Sequence, residues 1–134
     1  MKKRFLPFLS LMLLLTGCGG PAGTADSAEG RAYQQISAQE AKEMMDADET
    51  AIILDVREQD EYDDGHIPGA LLFPLGTITQ RTAQELLPDP EALILIYCRS
   101  GNRSVHAAEK LAELGYTNLY EFGGINDWPY DSEA

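Results

Sequence analysis

The 134-residue sequence contains few cysteine, histidine and basic residues: two cysteines, two histidines, and ten lysines and arginines against 22 acidic residues. His66 and His106 are isolated from each other and from further histidine or cysteine, so no metal-ligand cluster is visible and we expect no metal or other cofactor. A formal net charge of −12 disfavours nucleic acid and anionic lipid head groups as bulk electrostatic partners. An anion-binding site in this chain must therefore be built locally.

The first long apolar run is a targeting segment. Residues 2–4 are basic and residues 5–15 are mainly apolar, a stretch too short and too early for an ordinary membrane-spanning helix. The sequence Leu15-Thr16-Gly17-Cys18 resembles the lipobox of bacterial lipoproteins, which implies that residues 1–17 are a signal peptide and that Cys18 is lipidated. An ordinary secretory signal with a chance cysteine is the alternative. We expect a protein of the cell envelope, anchored by lipid on the extracytoplasmic side of a bacterial membrane, periplasmic or at the cell surface.

The remainder of the chain divides into a tether and one domain. Residues 18–30 are predicted to be a flexible tether because, after Cys18, they contain only small, polar and acidic residues and one proline. Residues 31–134 have the size of one domain. Predicted strands (33–36, 51–55, 71–73, 93–97 and 119–122) alternate with predicted helices (from a Ser37 capping box to 46, 59–63, 79–87, and 103–114 with Gly115 as cap). This alternation predicts an α/β fold with a parallel sheet covered by helices on both faces.

The most informative stretch is a buried strand that ends at Cys98 and is followed by a polar loop and a helix. Unpaired N–H groups and partial positive charge at the start of a helix attract anions and favour a thiolate. Arg99 and Arg103 add positive charge, and Gly101 gives the loop conformational room. The side chains of Ser100, Asn102 and Ser104 either donate hydrogen bonds to the anion or cap the helix. The pattern predicts a nucleophilic cysteine in an anion-binding loop, with a buried structural cysteine as the alternative.

Four segments in order resemble the signature of a single-domain rhodanese: Asp55-Val56-Arg57, Gly65-His66-Ile67-Pro68-Gly69-Ala70, Cys98-Arg99-Ser100-Gly101-Asn102-Arg103-Ser104, and Gly123-Gly124 with Trp128. The resemblance implies a rhodanese-like α/β sandwich with a mostly parallel five-stranded sheet between helices. It also implies sulfur transfer: Cys98 attacks the sulfane sulfur of a small anionic donor such as thiosulfate, holds it as a persulfide, and passes it to cyanide or to a thiol, including a protein thiol.

The other residues of the signature are expected to be structural. Asp55 and Arg57 are predicted to tie neighbouring loops together, and His66 is predicted to be a hydrogen-bonded turn residue rather than a catalytic base. Trp128 is predicted to pack over the sheet edge, and Gly69 and Gly124 belong to the same structural set. The acidic tail after Trp128, residues 129–134, is expected to be disordered.

Three alternative functions remain open to different degrees. Phosphatases and arsenate reductases with related folds use a loop one residue longer than the four residues between Cys98 and Arg103, which disfavours that chemistry. Rhodanese domains that serve only as binding modules usually lack the cysteine, which this chain retains. A sulfur carrier dedicated to one partner protein would use the same Cys98 chemistry, so the sequence does not separate it from a thiosulfate sulfurtransferase.

Overall fold

The computed structural model describes residues 32–134; the predicted signal peptide, Cys18 and the predicted tether lie outside the described residues. Five strands and four helices follow one another: β1 (Gln34–Gln35), α1 (Ala38–Ala47), β2 (Ile52–Asp55), α2 (Gln59–Asp64), β3 (Leu71–Leu72), α3 (Gln80–Leu86), β4 (Ile94–Cys98), α4 (Asn102–Glu113) and β5 (Leu119–Gly124). Short 3₁₀ turns occupy Leu75–Thr77 and Ile125–Asp127. In this part of the chain, no helix has the length and apolar character needed to cross a membrane.

The five strands form one sheet in the order β1-β5-β4-β2-β3, and every strand pair is parallel. The predicted α/β fold is confirmed, with a sheet that is parallel throughout the described chain rather than mostly parallel. All five residues of the central strand β4 are buried because helices cover both faces of the sheet. Cys98 is the last residue of this strand, so a fully buried central strand positions it.

Side chains of β4 alternate between two apolar layers. Ile94, Ile96 and Cys98 lie in the layer that contains α3 and α4, whereas Leu95 and Tyr97 lie in the layer that contains α1. The sulfur of Cys98 therefore shares a face of the sheet with helix α4, which begins directly after the loop.

Two predicted helix boundaries are confirmed. Ser37 and Glu40 form a capping box at the start of α1, with the Ser37 hydroxyl accepting from the Glu40 N–H at 3.1 Å. At the end of α4, Gly115 has a φ of +102°, and the Tyr116 N–H donates to the Leu111 carbonyl at 3.1 Å. These are the features of a Schellman termination.

The prediction that residues 129–134 are disordered is wrong. Glu133 pairs antiparallel with His66: the His66 N–H donates to the Glu133 carbonyl at 2.7 Å, and the Glu133 N–H donates to the His66 carbonyl at 2.8 Å. The Trp128 indole also donates to the Asp131 carbonyl at 3.1 Å. The tail is ordered because it satisfies backbone groups of the turn at His66, and its acidic composition gave no sign of that pairing.

Candidate active site

Cys98, at the carboxyl end of β4, is joined to α4 by a tight loop whose turning point is Gly101. Gly101 has a φ of +99°, a left-handed conformation that favours glycine, and a Cβ at this position would lie 3.3 Å from the Gly123 Cα. Gly101 is also the N-cap residue of α4, and no side chain caps the helix there. The first N–H groups of α4 are therefore available to the sulfur.

The buried Cys98 sulfur faces hydrogen-bond donors of this loop. The Gly101 N–H donates to Sγ at 3.0 Å, and the Ser104 Oγ lies 3.4 Å from Sγ. Burial raises the pKa of the Cys98 thiol, but hydrogen bonds from the Ser104 hydroxyl and from the N–H groups of Ser104, Gly101 and Ser100 outweigh it. The pKa of Cys98 consequently lies below its ordinary value, and the site favours the nucleophilic thiolate.

The end of β5 supports the loop from the other side. A Cβ on Gly124 would lie 2.0 Å from the Arg99 carbonyl oxygen, so only glycine lets the loop backbone pass. The Asn126 N–H donates to the same carbonyl at 3.1 Å. The register between β4 and β5 shifts between Ile96 and Cys98, which sets Cys98 opposite Gly124.

The two arginines of the loop have different environments. Arg99 is exposed and lines an open cavity of about 340 Å³ together with Arg57, Glu61 and Asn126. Arg103 instead makes a bidentate ion pair with Glu61, at 2.8 Å for each nitrogen–oxygen contact. The prediction that both arginines supply positive charge thus needs a qualification, because the carboxylate of Glu61 balances the charge of Arg103.

The Glu61–Arg103 pair has a pH dependence that can be measured. Hydrogen bonding to Arg103 lowers the pKa of Glu61 from 4.5 to about 2. Because the folded state has the lower pKa, the stabilisation is fully present above about pH 4.5 and is lost as the pH falls towards 2. In urea unfolding, we expect wild type to exceed Glu61→Gln in midpoint above that window, with the difference shrinking below it.

A matched control for this measurement is Glu85→Gln, which breaks the exposed Arg81–Glu85 pair on α3. Exposed ion pairs contribute little to stability, so the unfolding midpoint of Glu85→Gln should equal that of wild type at every pH. A Glu61→Gln difference that stays constant as the pH falls from neutral through the window would contradict the assignment.

The polar residues of the loop divide into exposed and buried ones. Ser100 and Asn102 are exposed, and their side chains do not cap α4. Ser104 is fully buried, and its hydroxyl donates to Oε1 of the buried Glu121 at 2.6 Å. Ser104 therefore lies between the Cys98 sulfur and a buried carboxylate.

The buried Asp55 connects the end of β2 to two neighbouring segments. Its carboxylate accepts from the Arg57 guanidinium at 2.7 Å and from the Tyr97 hydroxyl at 2.6 Å. Arg57 also donates to the Gly65 carbonyl at 2.7 Å, and Tyr97 accepts from the Ile67 N–H at 3.1 Å. Burial and the hydrogen bond to Asp55 raise the pKa of Tyr97 well above its usual range. These contacts join the end of β2 to the turn at 65–67.

The remaining signature residues also make structural contacts. His66 stacks on Tyr62 with ring centroids 3.7 Å apart, and its Nδ1 lies 2.9 Å from the Tyr62 carbonyl oxygen. Gly69 turns with a φ of +81°, and Trp128 packs on Phe122 with centroids 5.6 Å apart. Phe122 and Trp128 belong to the apolar layer that contains α1, on the face of the sheet opposite the Cys98 sulfur.

Sequence reasoning missed three residues around the loop: Glu61, Tyr97 and Glu121. The first two carry no local signal, because their partners lie 42 residues away in the chain. Glu121 does carry a local signal, because an acidic residue within a predicted buried strand requires a polar partner. Among residues 32–134, no group of three or more histidine, cysteine or acidic residues could hold a metal ion.

Comparison with known proteins agrees with the fold. The family model described as a rhodanese-like domain matches residues 37–130. The chain belongs to the rhodanese-like domain family. It is 38% identical over 112 residues to the putative sulfur carrier protein YrkF of Bacillus subtilis, a match that covers 83% of this chain and 59% of that protein.

Two further relatives carry names or titles that indicate the same class. The chain is 36% identical to the thiosulfate sulfurtransferase PspE of Escherichia coli, over 55% of this chain and 70% of that protein. Among solved structures, a rhodanese with anions from E. coli superposes with a TM-score of 0.57 at 30% identity, covering 62% of this chain and 96% of the other. The protein is thus related to sulfurtransferases and to a named sulfur carrier.

Proposed function

We propose that this protein is a sulfurtransferase that moves a sulfane sulfur from a small anionic donor such as thiosulfate to a thiophilic acceptor through a Cys98 persulfide. One observation carries the proposal: a buried cysteine sulfur at the end of the central strand receives a 3.0 Å hydrogen bond from the Gly101 N–H at the start of α4. This arrangement stabilises an anion on sulfur both before and after sulfur is taken up.

The reaction follows from this geometry. The Cys98 thiolate attacks the outer sulfur of thiosulfate, an S–S bond forms, and sulfite leaves with the electron pair of the bond that breaks. The negative charge then lies on the terminal sulfur of the persulfide, where the N–H groups of the loop can stabilise it. Cyanide or a thiolate attacks that sulfur, and Cys98 leaves as thiolate. Exposed Arg99, which lines the cavity of about 340 Å³, attracts the anionic donor.

Intact-mass spectrometry of the purified chain after mixing with thiosulfate tests the proposal. We expect a gain of one sulfur atom that maps to the peptide containing Cys98 and that cyanide removes, with thiocyanate as product. A folded protein whose Cys98 reacts with iodoacetamide but gains no sulfur from thiosulfate would contradict thiosulfate as the donor.

The second candidate function is a sulfur carrier that serves one partner protein, which the name of the Bacillus subtilis relative favours. Both functions use the Cys98 persulfide and differ in the acceptor. Transfer from the loaded protein to cyanide and small thiols would support a general sulfurtransferase. Persulfide that is stable to these acceptors and that a protein thiol discharges would support the carrier.

We also propose that Cys18 anchors the protein at the cell envelope, on the basis of the lipobox resemblance of residues 15–18. Replacing Cys18 by Ala should release the chain from the detergent-extractable membrane fraction, since acyl chains supply the anchorage. The matched control is Cys98→Ser, which should remain in that fraction. A Cys18→Ala protein that stays in the membrane fraction would contradict the lipoprotein assignment.

A further inference from the structure

Glu121 is a buried acidic residue on β5. The hydroxyl group of Ser104 joins its carboxylate to the proposed nucleophile, Cys98. Cys98, Ser104 and Glu121 are all buried, with 1%, 0% and 4% of their surfaces exposed. The sulfur lies 3.4 Å from the Ser104 Oγ, which lies 2.6 Å from Glu121 Oε1. The three groups form a continuous chain of hydrogen bonds from thiol to carboxylate.

A hydroxyl group has only one proton to donate. In the thiol form, Cys98 donates to the Ser104 Oγ and Ser104 donates to Glu121. The Gly123 carbonyl is a weaker alternative acceptor for the same hydroxyl, at 3.3 Å. Ser104 can donate to a thiolate only by withdrawing its proton from the carboxylate, unless the carboxylate has itself taken up a proton.

We propose that Glu121 is a positioning residue that accepts the thiol proton of Cys98 through the Ser104 hydroxyl. The inference rests on the proposed function of Cys98 as the nucleophile. The S–H bond breaks as an O–H bond forms on Ser104, and the original hydroxyl proton moves to Glu121 Oε1. The products are a thiolate that accepts from Ser104 and a carboxylic acid that donates to Ser104. The reverse transfer restores the thiol at the end of the cycle, so protons balance without another reactant.

In the hydrogen-bond chain from Cys98 through Ser104, Glu121 is the group that can accept a proton. These hydrogen bonds to the Glu121 carboxylate come from neutral groups: the Ser104 hydroxyl from α4, the Gly123 N–H at 2.7 Å from its own strand β5, and the Gln35 amide at 3.3 Å from β1. Arg103 on α4 interacts electrostatically with Cys98, and its charge is paired with that of Glu61 on α2. The other titratable side chains of α4 are at exposed positions: His106, Glu109, Lys110 and Glu113.

Glu121→Gln tests the relay with little change in shape. Glu121 Oε1 accepts from both Ser104 and Gly123, so the amide oxygen of Gln can keep both hydrogen bonds while it loses the ability to take up a proton. The matched control is Glu113→Gln, which removes one exposed charge from α4. The measurement is the rate of Cys98 alkylation by iodoacetamide against pH in the full chain, followed by mass spectrometry of the Cys98 peptide.

If Glu121 acts as a proton acceptor, Glu121→Gln should slow the alkylation of Cys98. If Glu121 acts only through its negative charge, the same substitution should speed it up. The relay keeps the proton that leaves Cys98 within the hydrogen-bonded chain, so the wild-type alkylation rate should stay nearly flat as the pH falls below the thiol pKa. In Glu121→Gln, the rate should fall about tenfold for each pH unit below the thiol pKa, as for an isolated thiol, so the variant should become slower than wild type by a factor that grows as the pH falls. Glu113→Gln should follow wild type.

A Glu121→Gln protein that is alkylated as fast as or faster than wild type below the thiol pKa would overturn the proposal, because loss of a negative neighbour alone favours the thiolate. If Glu121→Gln fails to fold, Ser104→Ala provides the same test: it should show the steep profile, and a flat one would overturn the relay. Alkylation uses no sulfur donor, so its outcome is separate from that of the thiosulfate mass experiment. A flat wild-type profile with no persulfide would reject the proposed function alone.

Discussion

Cys98→Ser should take up no sulfur from thiosulfate and form no thiocyanate from cyanide, a complete loss rather than a reduction. The hydroxyl of serine is close in size to the thiol and can accept the Gly101 N–H that now donates to Sγ at 3.0 Å, so the fold should persist. An alkoxide at this position is far less accessible than a thiolate, and a persulfide needs sulfur. Intact-mass spectrometry after thiosulfate treatment, with urea unfolding in parallel, measures both expectations.

The control for this variant is wild-type protein alkylated at Cys98 with iodoacetamide, which should be equally inactive with an unchanged backbone. Thiocyanate formation above background by folded Cys98→Ser would contradict Cys98 as the residue that holds the transferred sulfur. Activity of wild type on a phosphate ester would instead favour the phosphatase chemistry that the short loop disfavours.

Asp55→Ala should be the most destabilising of the substitutions considered. Asp55 is fully buried and is the carboxylate partner of Arg57, which is itself only 5% exposed. Removing one partner of a buried ion pair costs about 3–5 kcal/mol, because the other charge is left without its counterion. Domains of this size are stable by about 5–15 kcal/mol, so the loss is a large fraction of the total. Urea unfolding of the variant against wild type measures it.

Two companion variants separate the ion pair from general packing. In the double variant Asp55→Ala with Arg57→Leu, part of the stability should return because no unpaired guanidinium remains buried. Tyr97→Phe removes only one hydrogen bond to Asp55 and should cost about 1–3 kcal/mol. The control is Asp60→Ala at an exposed position, and its urea unfolding midpoint should equal that of wild type. An Asp55→Ala protein as stable as that control would refute the role of the pair.

Local patterns in the sequence determined the order of the elements and the position of the candidate nucleophile. Three kinds of feature are each encoded in a short stretch of consecutive residues. They are the apolar run of β4, the helix caps at Ser37 and Gly115, and the loop between Cys98 and Arg103. Such features follow from backbone geometry and burial, which operate over short stretches of chain. They were sufficient to predict the α/β fold and a cysteine at the junction of a strand and a helix.

Only the tertiary structure decided which groups surround that cysteine. Arg103 meets Glu61 across 42 residues of chain, and Ser104 meets Glu121 across 17. The tail meets His66 through backbone hydrogen bonds that no side-chain pattern records. The physical reason is that hydrogen bonds and ion pairs depend on distances between atoms, and the sheet order β1-β5-β4-β2-β3 brings together segments that are far apart in sequence. The sequence by itself placed the candidate nucleophile Cys98 at the end of a buried strand, and the packing of the sheet decided which hydrogen-bond donors and carboxylates surround it.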